Sequence, residues 1–387
     1  MTTPIYENQN FYAPHFEIKL RGQNLSRAVV RDVLDVSYRE TLDRLDSFEI
    51  TLHDWDPVNL RPKYSSPYDA SGALLALEDG SPVPNFEPGA KVELRMGYYG
   101  PNEPRLMMTG QVVSLSPSFP SSGTPTLKVR ALSLLYTLQT AADVRVFENK
   151  TDSEIAAEIA GELDITISIP PGQISEETRH EHLLMKNEPP VLFLMRRARR
   201  LGYDIYVTIP EEGDEPELFF GRTPTSQTTY ELTWGKSLIQ FSPTLKVRGQ
   251  VGKVVVRGWN PAASGNDRVI TGEATWSDLG PDMPDQQLLS NIDSSLAETY
   301  ETDIDHPISS QEEANQEARG ILENLLKSLV TGSGSTVGLP DLRAGKTVVI
   351  NGMGLRYDGR YVITETTHKM GSSGYTTDFS ARMEVLP

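Results

Sequence analysis

Apolar residues alternate with polar ones in several short runs of the first third of the chain. Over residues 46–53 they fall at Phe48, Ile50 and Leu52, the period of a strand buried on one face. The same period recurs at Val92, Leu94 and Met96, and again at Leu127, Val129 and Ala131. Gly- and Pro-bearing breaks, at residues 97–101 and 117–120, separate the runs. Short strands with turns between them predict an antiparallel barrel or sandwich. From about Leu60 to Phe86 neither period holds, and Pro and Ser are frequent. This stretch predicts an exposed lobe that contacts a neighbour.

The period changes near Asn149. Thr151 and Glu154 have the spacing of a capping box, and Ile155, Ile159 and Leu163 follow at helical intervals. A second helix is predicted after Pro189-Pro190, with Val191, Leu194, Met195, Ala198 and Leu201 as its buried stripe and Gly202 as its C-terminal cap. Strand-like segments at 164–169 and 203–209 accompany these helices, so residues 141–245 read as a small α/β module. The β pattern returns at 253–257 and 269–276, followed by a polar acidic stretch from Ser277 to His306. A long helix is then predicted from a capping box at Ser309–Glu312, with Ala314, Ala318, Ile321, Leu322, Leu325, Leu326 and Leu329 as its apolar face. Strands at 347–350, 360–367 and 377–385 close the chain. The predicted fold is mainly β with α/β insertions. A first β domain covers 1–140 and the α/β module 141–245. A second β domain covers 246–387 and contains a helical insertion at about 277–339. Two β units around an α/β module suggest internal duplication.

At 387 residues the chain is long enough for two or three domains. Lys plus Arg number 36 against 53 for Asp plus Glu, a formal net charge of −17. That balance argues against nucleic acid or anionic lipid as the main partner. The absence of cysteine removes disulfides, thiolate metal sites and a Cys nucleophile. Neither a basic, apolar leader nor a run of about 18 apolar residues is visible, so the expectation is a soluble chain made in the cytoplasm.

Local motifs yield little chemistry. Ala344-Gly345-Lys346-Thr347 resembles the end of a phosphate-binding loop, but Pro340 stands where that motif needs Gly, and residues 347–350 read as a strand where it needs a helix. His53-Asp54-Trp55-Asp56 and His180-Glu181-His182 are the local clusters that resemble metal ligands. The first ends a strand before Pro57, where its carboxylates are expected to make turn or capping bonds; the second lies in a charged stretch that reads as solvated. The acid runs 211–215 and 303–305 read as solvated loops, and Gly332-Ser333-Gly334-Ser335 has the wrong spacing for a nucleophile elbow. Arg196, Arg197, Arg199 and Arg200 could bind phosphate, yet basic residues in a helix's last turn ordinarily complement its dipole. No catalytic, cofactor or metal residue is predicted.

The ordered set of segments resembles one family. The segment 46–55, the segment 89–100 with Met108-Thr109-Gly110, and Asn149–Ala156 are similar to phage late control D proteins, the gene D-like tail hubs. So are Phe193–Ala198 with Leu201-Gly202-Tyr203, Val254-Val255-Val256-Arg257-Gly258-Trp259-Asn260-Pro261, and the run from Val330 through Gly338-Leu339-Pro340, Leu342–Gly345, Gly359–Thr364 and Gly374–Thr377. The resemblance implies a baseplate hub of a contractile injection machine (a phage tail, a tailocin or an extracellular injection system), related to the hub part of type VI spikes. It implies two tube-like β-barrels per chain and a homotrimer that joins a hexameric inner tube to a spike within a baseplate. Because the chain stops after its last predicted strand, the spike is expected to be a separate protein. No nucleic acid and no membrane insertion before firing are expected. The resemblance marks Trp55, Gly97, Tyr98, Gly258, Trp259, Pro261, Gly332, Gly338, Leu339, Gly359, Tyr361, Gly374 and Tyr375 as structural positions, Gly for turns and the aromatic residues for packing. The competing readings are a cell-wall hydrolase of the same particle, which needs a carboxylate pair in a cleft, and a glycan-binding module, which needs exposed aromatic platforms.

Overall fold

The computed structural model describes residues 11–77, 80–100, 103–139, 142–162, 164–210, 215–224, 228–260, 268–279, 300–303, 308 and 310–385. The first β unit holds β1 (Pro14–Leu20), β2 (Gln23–Asn24), helix α1 (Arg27–Asp32), β3 (Val33–Thr41), β4 (Ser47–His53), β5 (Lys91–Tyr98), β6 (Arg105–Ser118) and β7 (Thr126–Ser133). The alternation predicted for β4, β5 and β7 turns Phe48, Ile50, Leu52, Leu94, Met96, Leu127 and Val129 into one buried core, joined by Val36 and Tyr38. Among its described residues the 60–86 stretch carries no named strand or helix, as its pattern predicted, but it is not wholly the exposed lobe expected. Tyr64, Val83 and Phe86 are buried in the same core. The fully buried Asp54 carboxylate accepts from the Tyr64 amide at 2.6 Å, the Ser65 amide at 3.1 Å and the Ser65 hydroxyl, and so pins the stretch down.

The α/β module follows, with β8 (Asp143–Lys150), α2 (Asp152–Gly161), β9 (Thr166–Ser168), α3 (Gln173–Glu176), β10 (His180–Glu188), α4 (Pro190–Leu201), β11 (Asp204–Thr208) and β12 (Glu217–Gly221). The Thr151/Glu154 capping box forms, and Gly202 ends α4 at φ 70°, a left-handed conformation that favours glycine. Ile155, Ile159, Val191, Leu194, Ile205 and Phe220 make its core; the expected Leu163 lies outside the described residues.

The remainder comprises β13 (Thr228–Thr233), β14 (Leu238–Leu245), β15 (Lys253–Trp259), β16 (Val269–Thr275), β17 (Tyr300–Asp303), α5 (Gln311–Lys327), β18 (Val330–Val337), β19 (Thr347–Asn351), β20 (Gly359–Gly371) and β21 (Gly374–Val385). Two boundaries differ from the pattern. β13 and β14, placed by sequence in the α/β module, pair with β19 and β18. The helical insertion ends at Lys327, and β18 is a ladder strand; Gly332 and Gly334 mask its apolar period. Residues 280–299, most of the acidic stretch, lie outside the described residues. Ser310, one residue after the expected cap, is the N-cap of α5, its hydroxyl accepting from the Glu313 amide at 3.1 Å.

Most strands form one sheet in the order β14-β18-β21-β20-β3-β4-β7-β6-β5-β1-β2, with β19 also on β20 and β13 on β19. The β units are therefore joined edge to edge, β20 against β3, with Thr366 opposite Glu40 and His368 opposite Tyr38. α5 packs its Ala314, Ala318, Leu322 and Leu326 between β15, β16 and the C-terminal part of the large sheet, building a second core with Val254, Val256, Val348, Ile350, Tyr361 and Phe379.

Candidate functional site

One buried cluster of titratable groups lies where the β units meet. On β3 the buried face reads Val36, Tyr38, Glu40, so a carboxylate occupies a position whose period demands an apolar residue. Its partner comes from the β18–β19 loop, about 300 residues on. Arg343 Nε donates to both Glu40 oxygens at 2.8 Å, while its Nη2 donates to the Tyr38 hydroxyl and to the Met107 carbonyl, each at 2.9 Å. Glu40 also accepts from the Ala344 amide at 2.7 Å, the Thr366 hydroxyl at 2.9 Å and the Tyr38 hydroxyl at 2.9 Å. Burial alone would raise the Glu40 pKa; the Arg343 charge and these donors outweigh it and hold the carboxyl below its ordinary value. Burial, reinforced by the Glu40 charge, pushes neighbouring Asp46 well up.

His368 lies beside this pair. Its Nε2–H donates to the Leu342 carbonyl at 3.1 Å, and its Nδ1 accepts from the Tyr375 hydroxyl at 3.0 Å and the Thr377 hydroxyl at 3.1 Å. Burial pushes its pKa down to about 4, so the ring is neutral at pH 7. Glu40, Arg343 and His368 each spend their polar atoms on other protein atoms. Such an arrangement orients two β units; it presents neither a free base nor a free nucleophile to a substrate.

Two further clusters dock the α/β module. Asp152, the first residue of α2, accepts from Arg197 Nε at 2.5 Å, Arg197 Nη2 at 2.9 Å and His180 Nε2 at 2.9 Å. His180 Nδ1 lies 3.5 Å from Glu313 of α5. Burial disfavours the imidazolium, but the bonds to Asp152 and Glu313 prevail and raise its pKa to about 9. Two expectations are thereby corrected. His180 is buried and ion-paired where a solvated stretch was expected, and Arg197 is a buried partner instead of a dipole-complementing surface residue; His182 is exposed. On the other side Arg382 grips Asp204 through two bonds of 3.0 and 2.7 Å, Arg222 pairs with Glu323 at 2.8 Å, and Lys327 Nζ donates to the Gly202 carbonyl at 2.7 Å. Gly320 lets α5 approach α4 so closely that a Cβ there would lie 2.0 Å from the Arg200 carbonyl oxygen.

Of the positions marked by the resemblance, four converge on the seam. The Tyr98 hydroxyl donates to the Gly338 carbonyl at 2.9 Å, the Gly338 amide donates to the Tyr375 carbonyl at 2.9 Å, and Leu339 is buried behind them with its amide on Thr377 Oγ1. A Cβ at Gly338 would sit 2.1 Å from the Tyr375 ring. Gly97 abuts Pro104, and Gly374, at φ +97°, turns β20 into β21. Gly258, Gly332 and Tyr361 serve the second core: Gly258 against Ile308, Gly332 beneath Phe241, and Tyr361 buried with its hydroxyl on the Tyr357 carbonyl. Gly359 begins β20, and Trp55 is half-buried after β4. Trp259 is the exception to packing, being 54% exposed with the Arg268 guanidinium 5.7 Å from its ring centre. Pro261 lies outside the described residues. The pattern gives no role to Tyr38, Glu40, Asp152 and His368, and it assigns Arg197 to the helix dipole. Their one sequence signal is a titratable residue in phase with a buried stripe, as Glu40 is with Val36 and His368 with Met370.

Among the described residues no group of three His, Asp or Glu side chains could hold a metal ion. Asp56 caps its own turn through the Val58 and Asn59 amides at 3.0 and 3.1 Å, as expected. Thr347–Asn351 is a strand, so the phosphate-loop resemblance ends there. No described helix is long and apolar enough to cross a membrane.

This architecture is the fold of phage tail proteins. The chain superimposes on the 43 kDa tail protein of prophage MuSo2 from Shewanella oneidensis over 95% of its own length and 98% of that chain, with a TM-score of 0.65 and 14% identity. It matches the tail protein from Neisseria meningitidis MC58 over 96% and 97%, with a TM-score of 0.62 and 11% identity. It matches the E. coli c3393 protein, a component of the type VI secretion system, over 94% and 76%, with a TM-score of 0.54 and 14% identity. The family model for the Alg8 N-terminal domain covers residues 12–372, and the chain belongs to that family. No curated protein matches the sequence.

Proposed function

We propose that the chain is a structural hub of a contractile injection machine of the phage-tail type. In this reading it is a homotrimer joining the hexameric inner tube to a separate trimeric spike, within a baseplate and an assembled particle, and it turns over no substrate. The observation that carries the reading is the end-to-end likeness to the prophage 43 kDa tail protein, which spans 95% of this chain and 98% of the other. A shared domain alone would give a partial match; here the match runs over nearly the whole of both chains. The narrower assignment to the late control D hubs rests on the sequence resemblance and belongs to the proposal. The internally satisfied ionic clusters suit a part that transmits force, because buried, paired groups hold three units in one orientation. A static role also accords with the engaged state of Glu40, Arg343 and His368.

The test is co-expression of the tagged chain with the tube and spike proteins encoded beside it. Recovery of a complex containing both, with no loss of turbidity when the purified chain meets peptidoglycan, is the expected result. Peptidoglycan hydrolysis, or a chain that recovers neither protein, would overturn the reading.

A further inference from the structure

The arginine run of α4 is taken apart by the fold. Arg197 enters the Asp152 pair, Arg196 pairs with Glu188, and Arg200 lies 3.7 Å from Glu317. Arg199 is exposed and has no carboxylate partner among the described residues. It stands on the wall of a cleft of about 630 Å³ where the first β unit, the α/β module, α5 and the C-terminal strands meet. On the same wall Arg44 is 70% exposed, and among the described residues its carboxylate neighbour is the adjacent Asp43, itself 65% exposed, at 3.8 Å, near the upper limit for an ion pair and in solvent worth little. The other acids lining the cleft are spent: Asp204 on Arg382 and Glu365 on Arg39 at 2.8 Å. Leu192, exposed at 46%, and Met195 add an apolar surface beside the exposed Arg44 and Arg199 guanidinium groups.

We propose that this cleft binds an acidic peptide segment of a partner protein, its apolar side chains on Leu192 and Met195 and its carboxylates on Arg44 and Arg199. Guanidinium groups recognise carboxylates through paired, charge-assisted hydrogen bonds. The chain's net charge of −17 does not oppose this, since charges farther than about 8 Å are screened at physiological ionic strength and the local pairs decide. The apolar surface selects a peptide over a bare anion, which would gain nothing from Leu192. This site is independent of the hub reading.

The probe is a fluorescein-labelled heptapeptide of alternating Glu and Leu, followed by anisotropy with the full chain. Saturable binding is expected, at least tenfold weaker in Arg44→Glu/Arg199→Glu and unchanged in Arg356→Glu, an exposed arginine elsewhere. Should the double reversal misfold, Arg44→Gln/Arg199→Gln carries the same expectation. Equal binding of a Lys/Leu peptide, no loss in either double variant, or displacement by inorganic phosphate as readily as by unlabelled peptide would overturn the proposal.

Discussion

Removing Arg343 leaves the Glu40 carboxylate in the seam with three neutral donors, the Tyr38 and Thr366 hydroxyls and the Ala344 amide, and without its countercharge. The same change strips the Met107 carbonyl of its 2.9 Å donor. Breaking a buried ion pair from one side costs about 3–5 kcal/mol, because an uncompensated charge stays buried. Arg343→Met is therefore expected to lose that amount, and Glu40→Gln a comparable one. The double variant Glu40→Gln/Arg343→Met leaves no buried charge, so its loss should fall short of the sum of the singles by about 2–3 kcal/mol. The assay is urea unfolding at pH 7, followed in parallel by tryptophan fluorescence and far-UV circular dichroism to check that one transition is observed. Single losses below about 1 kcal/mol, the range of an exposed pair, or singles that add to within about 0.5 kcal/mol, would refute the view of this pair as the tie between the β units.

Three further outcomes follow from the same geometry. Gly320→Ala should destabilise although helix propensity favours Ala by about 1 kcal/mol, because its Cβ would meet the Arg200 carbonyl oxygen at 2.0 Å; a rise in Tm would contradict the close approach of α5 to α4. His368, at about 4 in the fold against about 6.5 unfolded, is bound neutral, so its contribution is complete above pH 6.5 and fades by about 3 kcal/mol as pH falls through 4; His368→Gln should flatten stability over that window. His180 has the opposite sign: raised to about 9, it stabilises fully below pH 6.5 and loses up to about 3 kcal/mol as pH rises through 9, a slope that should vanish in His180→Gln.

The elements with a clean period are legible in the sequence. The Phe48, Ile50, Leu52 alternation, the Thr151/Glu154 box and the Gly202 cap all form as their spacing predicts. What escaped was long-range. β18 was hidden because Gly332 and Gly334 replace apolar residues so that Phe241 and Phe379 can fill the space above them. The edge-to-edge joining of the β units through β3 and β20 depends on pairing residues more than 300 positions apart, which no local period encodes. The ionic clusters escaped for a related reason. Arg197 looks like a surface residue of a helix end until Asp152 and His180 arrive from other elements to bury it. The seam was partly visible, since Tyr98, Gly338, Leu339 and Tyr375 were all singled out, but their common destination was not.

The most direct test of the hub account is the native mass of the purified chain, alone and with the spike protein encoded beside it. The account predicts three times 42.9 kDa, or a three-to-three complex once the spike is added. A chain that stays monomeric in the presence of both spike and tube proteins would contradict it and leave only a shared fold.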